Sequence, residues 1–189
     1  MGPSEFEEAL GALGALLADR DQYFDVVIVG GGALVLAGLI DRATKDIDVI
    51  ALRTKQVLAS AEPLPAELVK AASEIAALLG LAPDWFNNGP ASALRLGLPD
   101  GFLGRCEQRE YGALTVLVAS RYDQIHLKVY AAADNAPNGK HHMDLKRLHA
   151  SEQELRAAAD WTRTHDPSEG FALMLRGLLA TFGVEYGNG

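Results

Sequence analysis

Cysteine is almost absent from this chain, since Cys106 is the single cysteine among 189 residues. One cysteine cannot form an internal disulfide, which excludes a disulfide-stapled secreted domain and fits a reducing compartment. Apolar runs that reach the roughly 20 residues of a membrane span are also missing. The N-terminus is acidic and lacks the pattern of a signal peptide. Together these absences predict a cytoplasmic protein without a membrane partner.

Positive charge is scarce as well. The chain has 17 Lys and Arg residues against 25 Asp and Glu residues, a formal net charge of −8. Strong non-specific binding to DNA or RNA needs a basic surface, so the composition argues against it, although a local basic patch stays open. The apolar fraction of 49% predicts a globular protein with a substantial core. We predict a single globular unit, with a core over residues 1–150 and a helical extension over residues 151–189 packed on it.

Residues 25–52 hold the densest set of chemically suggestive features. The stretch reads as an apolar strand over 25–29, a glycine turn, a short helix over 32–39, a loop and a second strand over 46–52. The first strand shows no alternation of polar and apolar residues, which predicts burial on both of its faces.

Two aspartates open the second strand. Successive strand side chains point to opposite faces, so Asp46 and Asp48 share one face and Ile47 lies on the other. Neighbouring carboxylates repel each other, and a divalent cation offsets that repulsion. Oxygen ligands suit Mg²⁺ or Mn²⁺, so the pair predicts a metal site, with turn or surface carboxylates as the alternative.

Gly30, Gly31 and Gly32 stand between the first strand and the short helix. Backbone N–H groups at a helix start attract phosphate, and glycine permits a close approach. A tight connection that binds nothing is one alternative. A dinucleotide-binding fingerprint fits less well, because Val35 occupies the place of its third small residue. A phosphate-binding turn followed by metal-binding carboxylates predicts a site for a nucleoside triphosphate (NTP).

A Gly-Gly turn, about a dozen further residues and then Asp-x-Asp resembles the signature of the nucleotidyltransferase superfamily related to DNA polymerase beta. The run from Arg42 to Asp48 resembles the branch that includes the abortive-infection type E toxins. The resemblance implies an Mg²⁺- or Mn²⁺-dependent enzyme that moves a nucleotidyl group from an NTP to a hydroxyl of tRNA, protein or a small molecule. It also implies a toxin with an antitoxin protein as its partner. The alternative is a nucleotide-binding module without catalysis.

The resemblance assigns roles to the residues around the loop. Asp46 and Asp48 become catalytic metal ligands. Arg42 and Lys45 are suited to the triphosphate, but they are equally able to neutralise their acidic neighbours. The full set of nucleotide-binding candidates is Gly30, Gly31, Gly32, Arg42, Thr44 and Lys45.

A second motif lies on a predicted helix. Asp123, Lys128 and Ala131 resemble the acid-x4-Lys-x2-Ala motif of the same toxins, in which the lysine supports catalysis or phosphate binding. Lys128 shares its helix face with Arg121. Asp123 also stands three residues after Ser120, which is a capping-box spacing. A helix cap is therefore the alternative for the acid, and a solvated side chain is the alternative for the lysine.

The hydrophobic-Asp-hydrophobic run at Asp144 resembles the last short motif of these toxins. We expect this aspartate to orient Lys128 by an ion pair, with an exposed acid paired to Lys140 or Lys146 as the alternative. Related enzymes place a third carboxylate on a neighbouring strand. The candidates for it are Glu107, Glu110 and Asp123, and none stands out.

The order of the predicted elements indicates an α/β (α+β) fold, in which a small mixed sheet is flanked by helices and the C-terminal third is helical. This is the nucleotidyltransferase-like fold that the resemblance implies. Trp85 and Phe86 are expected to anchor an irregular segment over 81–100. Capping boxes are predicted for two pairs, Ser4 with Glu7 and Ser151 with Glu154. The other predicted elements are helices over 4–20, 64–79, 120–133, 140–149, 151–165 and from 166–169 to Gly183, strands over 102–110 and 113–119, and a loop over 134–139.

Overall fold

The structure, a computed structural model, describes residues 1–133 and 139–187. The chain forms two compact units, Met1–Ser120 and Arg121–Gly189. The division at residue 150 that the sequence suggests stays a prediction. Within the described residues, no helix has both the length and the apolarity needed to cross a membrane.

Six strands of the first unit form one mixed sheet: β1 Phe24–Val29, β2 Ile47–Thr54, β3 Val57–Ser60, β4 Phe86–Asn87, β5 Glu107–Tyr111 and β6 Leu114–Val118. The order is β3-β2-β1-β6-β5, and β4 pairs with β2 beside this path. The central strand β1 is antiparallel to β2 and parallel to β6. This mixed sheet confirms the predicted fold class.

The helices of the first unit are α1 Pro3–Asp19, α2 Gly30–Leu36, α3 Ala66–Leu79 and the short α4 Phe102–Arg105, with a 3₁₀ helix over Gly89–Leu96. The apolar stripe of α1 is buried as predicted, including Leu10, Leu13 and Leu17. Gly80 ends α3 in the left-handed conformation with φ of 67°, which glycine adopts without steric cost. α2 begins and ends earlier than the predicted range of 32–39, because the glycines themselves form its first turn.

The central strands follow the predicted pattern of burial. Val26–Val29 of β1 are all buried. In β2, Ile47 and Val49 are buried, whereas Asp46 and Asp48 on either side of Ile47 are half-buried. The alternation of burial around Ile47 is therefore as predicted, whereas β2 itself begins one residue after Asp46, and the shared face of the two aspartates stays a prediction.

A bulge sets the register between β1 and β2. Val27 pairs with Ala51, yet Val29 at the end of β1 pairs with Asp48. A regular register would place Val49 opposite Val29, so β2 carries one extra residue. Bulges of this kind re-aim side chains beside functional sites. The residues around the bulge are all buried, so the hydrophobic pattern of the sequence does not reveal it.

The start of α1 differs from the prediction. The helix begins at Pro3, and the N–H of Gly2 donates to Glu5 Oε2 (2.7 Å). The predicted capping box of Ser4 and Glu7 is therefore wrong. Proline favours the first helical position, which moves the helix start one residue ahead of Ser4. Glu7 instead accepts hydrogen bonds from two side chains of β5.

The sequence pattern does not predict four short elements, β3, β4, the 3₁₀ helix and α4. β3 has three exposed residues out of four, so it has no buried face that would produce alternation. The segment 81–100 is not irregular throughout, because it contains β4 and the 3₁₀ helix. The predicted strand over 102–110 is wrong in its first half, where Gly101 (φ 74°) precedes α4 and β5 begins only at Glu107.

Trp85 and Phe86 anchor the segment 81–100 to the core, as predicted. Trp85 is fully buried, and its indole Nε1 donates to the carbonyl oxygen of Ala72 (2.9 Å). The backbone N–H of Ile47 donates to the carbonyl oxygen of Trp85 (2.6 Å). These contacts hold β4 against the start of β2.

The second unit is helical, with α5 Arg121–Ala133, α6 Lys140–Arg147, α7 Glu152–His165 and α8 Glu169–Ala180. The capping box of Ser151 and Glu154 is confirmed, since the N–H of Glu154 donates to Ser151 Oγ (3.3 Å) and the N–H of Ser151 donates to Glu154 Oε2 (2.9 Å). α6 and α8 end before the predicted His149 and Gly183, both of which have positive φ. Of the predicted loop over 134–139, residues 134–138 lie outside the described residues, and Gly139 caps α6.

Two glycines of α1 make a matched test of how closely this helix packs. A Cβ on Gly14 would lie 1.5 Å from the carbonyl oxygen of Tyr111, whereas a Cβ on Gly11 meets nothing within 4 Å. We expect Gly14→Ala to destabilise the protein by about 2 kcal/mol or more, because it overpacks helix against backbone. Gly11→Ala should stabilise it by about 1 kcal/mol through helix propensity. Urea unfolding measures both, and equal effects would contradict the described packing.

Candidate functional site

The ends of β1 and β2 bring the glycine turn against one of the two aspartates. Val29 pairs with Asp48, and Gly30 follows directly with φ of 79°. A Cβ on Gly30 would lie 2.4 Å from Asp48 Oδ2, which is closer than any real side chain tolerates. Glycine is therefore required here for two reasons, its backbone conformation and the approach of the carboxylate.

The loop between α2 and β2 packs on the other two glycines. The Cβ position of Gly31 lies 3.0 Å from both Arg42 Nη2 and Thr44 Oγ1. The Cβ position of Gly32 lies 2.5 Å from the carbonyl oxygen of Asp46. Gly31 and Gly32 are buried, whereas Gly30 is half-buried. Close packing thus explains why two of the glycines are needed, and phosphate binding at the turn stays a prediction.

Thr44 holds the loop in place on two sides. Its hydroxyl donates to Asp46 Oδ1 (3.2 Å), which orients that carboxylate. Its backbone N–H donates to the carbonyl oxygen of Met1 (3.2 Å), and the amino group of Met1 donates to the carbonyl oxygen of Thr44. Thr44 is therefore a supporting residue of the Asp46 carboxylate.

Lys45 pairs with Asp84 and not with its acidic neighbours in the sequence. Its Nζ is 3.2 Å from Asp84 Oδ2, and both side chains are well exposed. The hydrogen bond from Lys45 lowers the pKa of Asp84. Of the two readings left open for Lys45, neutralisation of an acid is present in the structure, but the acid lies 39 residues along the chain. Its contact with a triphosphate stays a prediction.

Two of the candidates for a third carboxylate lie away from the aspartates. Glu107 and Glu110 are on β5, at the edge of the sheet that β1 and β6 separate from β2. Glu107 is exposed and pairs with Arg109 (2.8 Å). Across residues 1–133 and 139–187, no group of three or more His, Cys, Asp or Glu side chains is arranged to hold a metal ion.

The two aspartates near the turn nonetheless suit Mg²⁺. Mg²⁺ is usually held by one or two carboxylates and completes its coordination with water and substrate phosphates. Asp46 and Asp48 supply two carboxylates, and Arg42 lies over the turn where phosphates would approach. The donor set therefore suits a cation whose remaining ligands are water and nucleotide phosphates.

In the second unit, Lys128 and Asp144 form a buried ion pair. Lys128 Nζ lies 2.9 Å from Asp144 Oδ2, and the two residues are 4% and 1% exposed. The expected ion pair is present, and the alternatives of a solvated lysine and an exposed acid are wrong. Asp123 is fully buried in the first turn of α5, and its role as a cap or a supporting residue stays a prediction.

Arg121, on the Lys128 face of α5, cross-links helices of the second unit. Its guanidinium pairs with Glu154 and donates to the carbonyl oxygen of Leu148 (2.7 Å). Partial burial acts to raise the pKa of Glu154, but hydrogen bonds from Arg121 and Ser151 outweigh it and lower that pKa. Arg121 thus has a structural role that sequence reasoning missed, because its partners lie more than 25 residues away.

Comparison with known families identifies the family of this chain. A family model described as "Nucleotidyltransferase of unknown function (DUF6036)" matches residues 7–149. The chain belongs to this family of nucleotidyltransferases. The match includes both motifs, the turn with its aspartates and the later pair of Lys128 and Asp144. No curated protein and no solved structure matches the chain significantly.

Gly30 and Gly38 test the approach of Asp48 to the turn of this nucleotidyltransferase. Both glycines have positive φ, 79° and 66°, so alanine at either costs about 1–2 kcal/mol of backbone strain. Only at Gly30 does the new Cβ also meet Asp48, since a Cβ on Gly38 meets nothing within 4 Å. We expect Gly30→Ala to lower the melting temperature clearly more than Gly38→Ala. Equal losses would show that Asp48 does not lie against the turn.

The buried ion pair of the second unit makes a separate prediction. Asp144→Asn leaves the ammonium of Lys128 buried without its carboxylate, so it should cost about 3–5 kcal/mol of unfolding free energy. The double variant Lys128→Met/Asp144→Leu removes both charges and should recover most of that loss. Arg147→Met is the matched control, because Arg147 is partly exposed and lies 3.6 Å from Asp144. An Asp144→Asn variant no less stable than this control would contradict the buried pair.

Proposed function

We propose that this nucleotidyltransferase is a divalent-cation-dependent enzyme that transfers a nucleotidyl group from an NTP to a hydroxyl acceptor. The observation that carries the proposal is the packing of Asp48 against Gly30 at the joined ends of β1 and β2. It supports the proposal because one NTP can contact a phosphate-binding turn and a metal-binding carboxylate only where the two are neighbours.

Each part of the site suits a different part of the substrate. The guanidinium of Arg42 offers a planar set of donors that matches phosphate oxygens. The carboxylates of Asp46 and Asp48 suit Mg²⁺ or Mn²⁺, with Thr44 fixing the orientation of Asp46. When bound, the cation would neutralise phosphate charge and make the α-phosphorus more electrophilic.

The proposed reaction is a single displacement. The acceptor oxygen forms a bond to the α-phosphorus, the bond from that phosphorus to the bridging oxygen breaks, and pyrophosphate leaves with the electron pair. The hydroxyl proton passes to water. The task of the protein is to position the substrates, which accounts for much of the catalysis in phosphate chemistry. Arg42 and the glycine turn would hold the leaving phosphates in line with the acceptor.

The finer function that we propose is that of a toxin in a toxin–antitoxin pair, acting in the cytoplasm on tRNA or protein. It is supported by the resemblance of Arg42–Asp48 and of the Lys128 and Asp144 motifs to the abortive-infection type E toxins. The part of Lys128 in catalysis or phosphate binding rests on the same resemblance. The net charge of −8 gives no support to a tRNA acceptor over a protein or a small molecule. Growth arrest on expression, relieved by Asp48→Asn, is the outcome that a toxin requires.

A nucleotide-binding module without catalysis is the second candidate. The observation that favours it is the lack of a third carboxylate beside Asp46 and Asp48 among the residues that the structure describes. Such a module would bind an NTP and release no pyrophosphate with any acceptor. Pyrophosphate release therefore separates the two candidates.

Removal of both aspartate charges tests the proposed enzyme. We expect Asp46→Asn/Asp48→Asn to abolish Mg²⁺-dependent pyrophosphate release and nucleotidyl transfer from each NTP to pooled tRNA or protein. The fold should persist, because both side chains are half-buried and the substitution keeps their shape. The measurement is transfer of label from each of the four NTPs, with circular dichroism as the check on folding.

Asp19→Asn is the matched control, since Asp19 is an exposed acid at the end of α1. It removes a carboxylate without touching the glycine turn and should retain full transfer. Retained transfer in the double variant would show that the aspartates do not carry the reaction.

A further inference from the structure

Strand β4 brings an amide side chain next to the proposed cation site. Ile47 and Asp48 of β2 pair in parallel register with Phe86 and Asn87 of β4. Adjacent strands lie about 4.8 Å apart, and the paired side chains project on the same face of the sheet. Asn87 is therefore the neighbour of Asp48 on the side of β2 away from β1.

Two hydrogen bonds fix the orientation of the Asn87 amide. The N–H of Gly89 donates to Asn87 Oδ1 (2.8 Å), and Asn87 Nδ2 donates to the carbonyl oxygen of Asp84 (3.3 Å). Because the acceptor and donor ends have different partners, the oxygen lies on the Gly89 side. An amide oxygen has two lone pairs, so a second interaction is open to it.

Gly89 leaves space between this oxygen and the Asp48 carboxylate. A Cβ on Gly89 would lie 3.1 Å from Asn87 Oδ1 and 4.0 Å from Asp48 Oδ1. The other carboxylate oxygen, Asp48 Oδ2, lies 2.4 Å from the Cβ position of Gly30. The Asp48 carboxylate thus has Oδ2 beside the glycine turn and Oδ1 on the side of Gly89, whose N–H donates to Asn87 Oδ1.

We propose that Asn87 Oδ1 is the third protein ligand of the divalent cation held by Asp46 and Asp48. The inference rests on the proposed function, because it concerns the same site. Carbonyl-type oxygens suit Mg²⁺ and Mn²⁺, and Asn87 is the residue of a neighbouring strand that pairs with Asp48.

A neutral third ligand sets the charge of the site. Two carboxylates balance the two positive charges of one cation, whereas a third carboxylate would add a net negative charge and strengthen cation binding without nucleotide. The site therefore binds the cation weakly by itself and more strongly when substrate phosphates complete the coordination. Nucleotide and cation enter together.

Binding of Mn²⁺ in the absence of nucleotide tests this assignment. It is measured as the loss of the electron paramagnetic resonance signal of the free ion. Asn87→Asp keeps the acceptor for Gly89 and adds a charge at the ligand position, so Mn²⁺ affinity should rise about tenfold or more. Asn87→Ala removes the oxygen and should weaken binding about tenfold. Ser92→Asp is the matched control, since it adds the same charge at an exposed residue of the following 3₁₀ helix.

The melting temperature in EDTA and in Mn²⁺ gives a second readout that does not depend on the alanine variant. Asn87→Asp places a third carboxylate beside Asp48, so it should melt below wild type in EDTA and gain more from Mn²⁺ than Ser92→Asp does. Equal Mn²⁺ affinity in Asn87→Asp and Ser92→Asp would overturn the assignment of Asn87. If Asn87→Asp and Ser92→Asp bind Mn²⁺ equally but Asp48→Asn loses binding, only the assignment of Asn87 fails and the proposed function survives. If substitution of neither Asp46 nor Asp48 changes Mn²⁺ binding, the proposed function itself is overturned.

Discussion

The pairing of Val29 with Asp48 is the constraint on which the rest of the site depends. It joins the end of one buried strand to the start of the next, so the glycine turn after β1 and the aspartate of β2 become neighbours. This pairing depends on the bulge in β2, because a regular ladder would place the apolar Val49 opposite Val29. Once Asp48 lies against Gly30, Gly31 and Gly32 must also lack side chains for the following loop to close over the turn.

The charged side chains of the two units have different surroundings. In the second unit, Lys128 and Asp144 neutralise each other in a nearly solvent-free environment, where loss of either partner removes a close opposite charge. In the first unit, Asp46 and Asp48 are half-buried, and the nearby guanidinium of Arg42 lies across the turn. Two carboxylates beside a glycine turn are suited to a cationic ligand. The family relationship supports this reading at the level of a nucleotidyltransferase.

Much of the first unit follows from local patterns in the sequence. The unalternating β1 and the alternation around Asp48 predict buried and half-buried positions, and a proline and a glycine mark the ends of α3. Two strands were missed for different reasons. β3 lacks a buried face, and β4 has only two residues, whose pairing with β2 is invisible locally. The position of Asn87 next to Asp48 follows from that pairing, so no motif could reveal it.

The joint binding of a cation and a nucleotide at Asp46, Asp48 and the glycine turn is tested most directly by a crystal structure of the chain with Mn²⁺ and a non-hydrolysable NTP analogue, with anomalous data collected at the manganese edge. We expect one anomalous peak about 2.1 Å from carboxylate oxygens of Asp46 and Asp48, with the triphosphate along the glycine turn toward Arg42. A peak and a nucleotide bound away from these aspartates would contradict it.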